Sequence, residues 1–412
     1  MSLYDKVSVV GAGMTRFHHK IHADKQGREL FSEAALEAVS SVDNGFSLKD
    51  DVDALFLGYF SSDMFEGQAH TAALMADWIG IAPKPAVRVE AACASSGAAM
   101  NLGVMAIASG IYDVVIVGGV EKMRNLDTSK VTDTLAMAAD TSYEVAMGFT
   151  FPGLYAAIAN AHFEKYGSTW EQLATISIKN HANGALNPKA QYQETIMETA
   201  NKLGERKGVK FRNEMEFLNS DLNPVVASPL RVFDCCPISD GAAAVILASN
   251  KVANKFTDTP VHISGIGQAS DTIALHDRDE LTSLKATRLA SKQAYEMAKV
   301  EPKDFDVACV HDCFTIAEIV ATEDLGFFPR GQGGSAAVEG KTSLDGDIPI
   351  NPDGGLKAKG HPVGATGAAM VVEMYKQLRG EAGEHQVKGA QVGLAHNVGA
   401  AGATVTVQIF RS

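Results

Sequence analysis

Four short stretches of the chain hold residues suited to covalent and proton-transfer chemistry. Cys93 stands in Glu90-Ala-Ala-Cys-Ala-Ser-Ser-Gly-Ala-Ala, where an apolar strand-like run ends and a small-residue helix begins. A thiol at a helix start feels unpaired N–H groups and the positive end of the dipole, which favour the thiolate. Its own backbone N–H would point the same way, ready to hold an oxyanion. From this stretch alone, a small buried cysteine would read the same. His361 tips the balance. It lies in Gly354-Gly-Leu-Lys-Ala-Lys-Gly-His-Pro-Val-Gly-Ala-Thr-Gly, a glycine-rich loop that leads into a second helix. A nucleophile and its base must meet in space, not in sequence.

The third stretch is His311-Asp-Cys-Phe, directly after the apolar run Asp306–Val310. A polar triplet at a buried strand end is where α/β proteins place active-site groups. Cys313 could exchange a proton with a substrate carbon, and His311 could donate to a carbonyl oxygen or hold a water. A strand-end turn with a satisfied Asp312 is the structural alternative. Cys309, inside the apolar run, reads as core. The fourth stretch is the turn His396-Asn-Val-Gly-Ala-Ala-Gly-Ala-Thr, whose glycines permit close backbone approach.

Internal repeats show how these stretches are brought together. Val7–Gly13 pairs with Val261–Gly267, Asp53–Leu57 with Asp306–Val310, and Ser96–Met100 with Thr366–Met370. Asp113–Gly118 then pairs with Ala390–Ala395, and Gly241–Leu247 with Gly402–Gln408. Five weak matches in one order predict a duplicated α/β core, built of two βαβαβ-type halves over residues 1–255 and 256–412. The repeat puts His361 near the position that Cys93 holds, so a pseudo-twofold axis would bring both helix starts to the centre. One difference stands out: a subdomain of about residues 121–240 fills a slot that is a short turn in the second half.

The chain has 412 residues, 46% hydrophobic, and a formal net charge of −13, which argues against general nucleic-acid binding. No apolar run is long enough to span a membrane, and Met1-Ser-Leu-Tyr-Asp-Lys shows no signal-peptide core. Five cysteines without zinc-site spacing predict free thiols, a cytoplasmic setting and no metal.

Together, Cys93-Ala-Ser-Ser-Gly, His311-Asp-Cys-Phe, Gly360-His-Pro and the final glycine-bearing turn resemble the thiolase superfamily almost end to end. Asp240-Gly-Ala-Ala-Ala and Asn183-Gly-Ala-Leu-Asn-Pro add to the likeness, which is nearer to the sterol-carrier-protein-2-type thiolases. The resemblance implies a five-layered α/β/α/β/α thiolase fold and a homodimer or tetramer. It also implies reversible thiolytic cleavage or Claisen condensation of 3-ketoacyl-CoA through a Cys93 acyl-enzyme. His361 would take the thiol proton, Cys313 would serve the α-carbon, and His311 would hold a water beside the enolate. The backbone N–H groups of Cys93 and Val398 would form the oxyanion hole. His396 stands where a common thiolase carries its second cysteine, and Ala400 and Ala401 replace glycines usual in that turn. Met147, Phe149, Phe151, Arg231, Cys236, Ser239 and His396 become candidates for contact with substrate or CoA. Phe151-Pro152 stands in place of a usual Ala-Glu, which is compatible with a branched, aromatic or dicarboxylic acyl group. Coenzyme A enters as substrate, with no permanently bound cofactor. Some relatives work with a small zinc-ribbon/OB-fold protein, so such a partner is a candidate. The alternatives are a ketoacyl synthase-like condensing enzyme and a non-catalytic acyl-CoA-binding subunit of a complex.

Overall fold

The computed structural model describes residues 6–412; the reading of the N-terminal leader, on Met1–Asp5, lies outside the described residues. Among the described residues no helix is long and apolar enough to cross a membrane.

The first half supplies strands β1 (Val7–Met14), β2 (Ala54–Gly58), β3 (Ala86–Val89) and β4 (Val114–Glu121). A small hairpin, β5 (Val225–Ala227) and β6 (Leu230–Arg231), belongs to the insertion, and β7 (Gly241–Ser249) closes the half. The second half supplies β8 (Val261–Ser270), β9 (Val307–Val310), β10 (Val392–Gly399) and β11 (Thr404–Arg411). Nine of these strands form one sheet in the order β3-β2-β4-β7-β1-β8-β11-β10-β9. Outward from the β1/β8 junction, β7, β4 and β2 are mirrored by β11, β10 and β9. Even β3 has a vestigial counterpart, a single parallel bridge from Ala308 to Ile350. All five sequence repeats thus fall on matching elements. The halves are not separate sheets, however: β1 and β8 pair antiparallel at Ser8–His262 and Val9–Val261.

Every residue of β1, β4 and β7 is buried, because both faces are covered. Helix α1 (Gly27–Ser40) covers the outer face of the first half against β1 and β7. Between the halves lie α2 (Ser95–Ala108), packed on β2, β4 and β11, and its counterpart in the second half (Thr366–Arg379), packed on β10, β7 and β1. The insertion, residues 122–240, contributes α3 (Thr128–Ala136), α4 (Phe151–Tyr166) and α5 (Trp170–Ala185). It has an apolar cluster of its own around Ile196, Phe211 and Phe217. On the outer face of the second half lie α6 (Lys285–Ala298), against β8 and β11, and α7 (Thr315–Asp324). With those in place the central helix Thr366–Arg379 is α8. Helix, half-sheet, helix, half-sheet and helix make the five layers, the two half-sheets being continuous through β1 and β8.

The two central helices meet at glycine. A Cβ on Gly367 would lie 2.4 Å from the Gly97 nitrogen, and the Ala368 N–H donates to Ser96 Oγ at 3.0 Å. This contact carries the starts of α2 and α8, and the loops before them, to one point.

Candidate active site

Cys93 ends a tight turn between β3 and α2. Ala92 adopts a left-handed conformation (φ 51°), and Ser95 Oγ accepts from the Ala91 N–H and donates to the Ala92 carbonyl. Against this turn lies the β10–β11 turn: a Cβ on Gly399 would sit 2.4 Å from the Ala91 oxygen. Ala400 is itself left-handed (φ 54°). A positive φ costs an alanine free energy that the surrounding packing must offset. The result places two amides, those of Cys93 and Ala400, where both favour a negative charge on the Cys93 sulfur. Val398, the expected second amide, lies inside β10 opposite Val405, and Ala400 rather than Val398 lines the cavity at the thiol. Ala400, at a position where the resemblance leads one to expect glycine, takes the glycine-like conformation.

The Cys93 sulfur and one ring nitrogen each of His311 and His361 lie within 4.8 Å of one another. The rings meet edge to face with centroids 5.0 Å apart. Hydrogen bonding gives the two imidazoles opposite tautomers. Thr366 Oγ1 donates to the Pro362 carbonyl and lies 2.7 Å from His361 Nδ1, so Nδ1 carries the proton and donates to that oxygen. His361 Nε2, buried and unpartnered, is left as a bare lone pair. On the other side Asn397 Nδ2 donates to the Cys93 carbonyl at 3.0 Å, which fixes the orientation of the amide. The same Nδ2 lies 3.1 Å from His311 Nδ1, which therefore accepts. His311 Nε2 then carries a proton, also buried and unpartnered. One ring accepts a proton and the other donates a hydrogen bond. The three groups have the spacing of a metal-ligand set, but a protonated His311 Nε2 has no lone pair for a metal, so the donor set does not suit one.

Burial decides the charges. It lowers the His361 pKa to about 3, with Lys359 adding to the effect, and it holds His311 well below the ordinary histidine value. Both rings are neutral at pH 7. Burial also pushes the Cys93 thiol up to about 12, with Glu121 adding to the rise. The thiolate expected from the helix start is therefore not the resting form. Desolvation and the nearby carboxylate outweigh the helix end and the two amides.

Cys313, after β9, lines the same cavity, and burial holds its pKa well above the ordinary thiol value. The hydroxyl of Tyr155, which donates to the Ala400 carbonyl at 3.2 Å, acts on this thiol and favours its thiolate. Behind it, Asp312 accepts from the Leu356 N–H (2.6 Å) and from Asn180 Nδ2 (2.7 Å), tying the His311–Cys313 loop to the one that carries His361. Glu121, at the end of β4, accepts from the N–H groups of Phe60, Ser61 and Gly364 and clamps that loop from the other side.

The remaining expected contacts divide. Phe151 and Cys236 line the catalytic cavity. Ser239 does not face it; it is fully buried, accepts from the His361 N–H (3.1 Å) and donates to Gln191. Arg231 spends its guanidinium on the Asn223 carbonyl and Asn219 Oδ1. Met147 and Phe149 line a separate surface groove with Tyr143 and His276. His396 turns away, its Nε2 3.0 Å from Thr287 Oγ1 on α6. Strand alternation puts Asn397, not His396, at the catalytic centre. The sequence does not single out Asn397 or Tyr155, and it marks Ala400 only as a replacement for a glycine. The period-2 reading of β10 could have found Asn397; a tyrosine within a helix gives no comparable signal.

A duplicated α/β scaffold with a thiol, two opposed imidazoles, a second thiol and two convergent amides defines an acyl-transferring thiol enzyme. Residues 7–251 match the thiolase N-terminal domain, and residues 267–412 match the thiolase C-terminal domain-like family. The chain belongs to the thiolase family. It is 46% identical over 404 residues to acetyl-CoA acetyltransferase of Methanothermobacter thermautotrophicus, covering 98% of this chain and 99% of that one. It is 32% identical over 415 residues to sterol carrier protein 2 of Bos taurus, covering 98% of this chain and 72% of that one. Among solved structures, the Ltp2-ChsH2(DUF35) aldolase superposes with a TM-score of 0.80 at 24% identity, over 100% of this chain and 98% of that one. The protein is an acyltransferase of the thiolase kind.

Proposed function

We propose that Cys93 carries the acyl group in a reversible thiolysis of 3-ketoacyl-CoA. The observation that carries this reading is the pair of opposite tautomers beside one thiol: a bare His361 Nε2 and a protonated His311 Nε2. In the cleavage direction, the Cys93 sulfur attacks the 3-keto carbon as His361 takes its proton. The oxyanion forms between the Cys93 and Ala400 amides, which are already in place. The C2–C3 bond then breaks. Its electrons pass into a thioester enolate, whose oxygen takes a hydrogen bond from His311 Nε2–H, directly or through a water. Cys313 protonates C2 and regains a proton from the imidazolium of His361. The neutral His361 then takes the proton of CoA-SH as its sulfur attacks the acyl-Cys93 thioester, and returns it to the departing Cys93 sulfur. Condensation is the reverse, with Cys313 removing the α-proton. Because the resting thiol and imidazole are both neutral, proton transfer accompanies attack rather than preceding it.

CoA is a substrate and enters along the insertion side, where Phe151, Phe314 and Cys236 form the wall beyond Cys313. The edge strand β3, with exposed Val87, and the exposed Leu102 and Met105 of α2 support a homodimer, or a tetramer built from it. The DUF35 chain named with the structural neighbour supports a small zinc-ribbon/OB-fold partner. Five free thiols fit the cytoplasm. The test is turnover of acetoacetyl-CoA with free CoA against malonyl-thioester without it. Cleavage of the first, with acetyl-Cys93 trapped by mass spectrometry, is expected; turnover of malonyl-thioester alone would select the ketoacyl synthase reading.

A further inference from the structure

The cavity shared by Cys93 and Cys313 has a volume of about 170 Å³, divided between the group bonded to Cys93 and the departing thioester. An apolar protein cavity of about 150 Å³ is enough to admit benzene. Its walls divide along the chemistry. Cys93 packs with Phe60, Met123, Leu135, Ile238 and Val363, a cluster distinct from the one that holds Cys313, Phe314 and Cys236. The α-carbon of the departing thioester belongs beside Cys313, so the group bonded to Cys93 is left with the first wall. That wall is the β2 end, α3 and the loop after His361; Thr132 lies on it, its Oγ1 donating to the Thr128 carbonyl at 2.9 Å.

No Lys, Arg, Asp or Glu lines the cavity. The acidic groups that act on Cys93 are Glu121 and Glu90, and burial raises Glu121 to about 8, so it is largely uncharged at neutral pH. Arg88, behind Phe60, spends its guanidinium on the Tyr59 and Phe60 carbonyls and on Asp63. Lys357 is buried against the Cys235 carbonyl, on the Cys313 side. An acyl chain ending in a carboxylate would enter apolar walls with no counter-ion.

Resting on the Cys93 reading above, we propose that the acyl group this enzyme carries is uncharged, compact and bulkier than acetyl: branched or aromatic, not dicarboxylic. Benzoylacetyl-CoA shows the balance of the step. Cys93 sulfur bonds to the benzoyl carbon, the C2–C3 bond breaks, and its electrons and one proton leave in acetyl-CoA. CoA then takes the benzoyl group and returns the thiol proton to Cys93.

The test compares kcat/KM for acetoacetyl-CoA, benzoylacetyl-CoA and 3-oxoadipyl-CoA, which leave acetyl, benzoyl and succinyl on Cys93. Benzoylacetyl-CoA is expected to match or exceed acetoacetyl-CoA, with 3-oxoadipyl-CoA at least about 100-fold below both. In Leu135→Trp, with Leu135→Phe as the milder variant, the benzoylacetyl-to-acetoacetyl ratio falls at least about tenfold. A wild-type preference for acetoacetyl-CoA of about 100-fold or more, equal use of 3-oxoadipyl-CoA, or an unmoved ratio in the variants overturns the proposal. In those outcomes acetoacetyl-CoA is still cleaved and the Cys93 reading stands. Failure to cleave any of the three removes that reading as well.

Discussion

The two halves share a strand order but divide the chemistry unequally. The first half brings the nucleophile, on a turn before α2, and fills the slot between β4 and β7 with residues 122–240, which form one wall of the cavity. The second half brings both imidazoles, Cys313, Asn397 and the Ala400 amide, and leaves its corresponding slot as the turn 400–403. On the proposed mechanism one copy holds the acyl group and covers it, while the other handles the protons and shares the oxyanion with the Cys93 amide. The bare turn matters: a lid on β10–β11 would sit over the amide that must face Cys93.

Removing the covalent half of this division should have the largest effect. Cys93→Ser is expected to lower kcat by at least about 10³-fold, with no acyl-enzyme in intact-mass spectra after acetyl-CoA is added. On the other side, Cys313→Ala should still become acylated at Cys93 but lose exchange of the acetyl-CoA methyl protons into D₂O by about 10²–10⁴-fold. Normal exchange in that variant would move the acid/base role to another group.

Asn397→Asp probes the tautomer without removing a ring. A carboxylate accepts from His311 Nδ1–H, which strips the proton from Nε2 and leaves the enolate oxygen without its donor. A loss of about 10²–10³-fold in kcat is expected, with little change in KM. Activity at the wild-type level would mean that His311 does not act through Nε2–H.

The smallest effect is a difference in acid sensitivity between the halves. His361 and His396 are buried neutral with pKa values lowered to about 3. Unfolded, each binds a proton near pH 6.5. Their contribution to stability is thus present above pH 6.5 and is lost as pH falls towards 3, by about 2 kcal/mol each at pH 5. In the first half His181 on α5 is lowered to about 3 and His18, beside the start of β7, to about 4. Hydrogen exchange should therefore lose protection in β9, β10 and α5 before β2 and β4 between pH 7.5 and 5. Simultaneous loss would show that the halves open as one unit.

The repeat made much of this legible. Paired apolar strands and small-residue helices carry a period that survives in one sequence, so the duplicated core and the meeting of Cys93 with His361 could be read directly. Which residue of a strand faces the centre could not. His396 drew attention as a titratable group, yet β10 turns it to Thr287 and presents Asn397. The charge state of Cys93 also escaped. A helix start is visible in sequence, whereas Glu121, which helps raise the thiol, comes from a strand end that only folding brings near. Arg231 and Ser239 looked like ligand contacts because polar residues near a cysteine pair invite that reading. Their bonds to Asn223 and to the His361 amide show them holding loops in place.

Gly97 and Gly367 also set a delay during synthesis. The neighbouring bond from Ala368 to Ser96 joins residues 272 positions apart, and the site does not exist until it closes. At about 5–20 residues per second, Cys93 leaves the ribosome roughly 15–50 s before the glycine that completes its surroundings. Through that interval it is a peptide cysteine in water, titrating near pH 8.5. The arrival of α8 is what withdraws it from solvent and converts a thiol open to any oxidant into one open only to the contents of its own cavity.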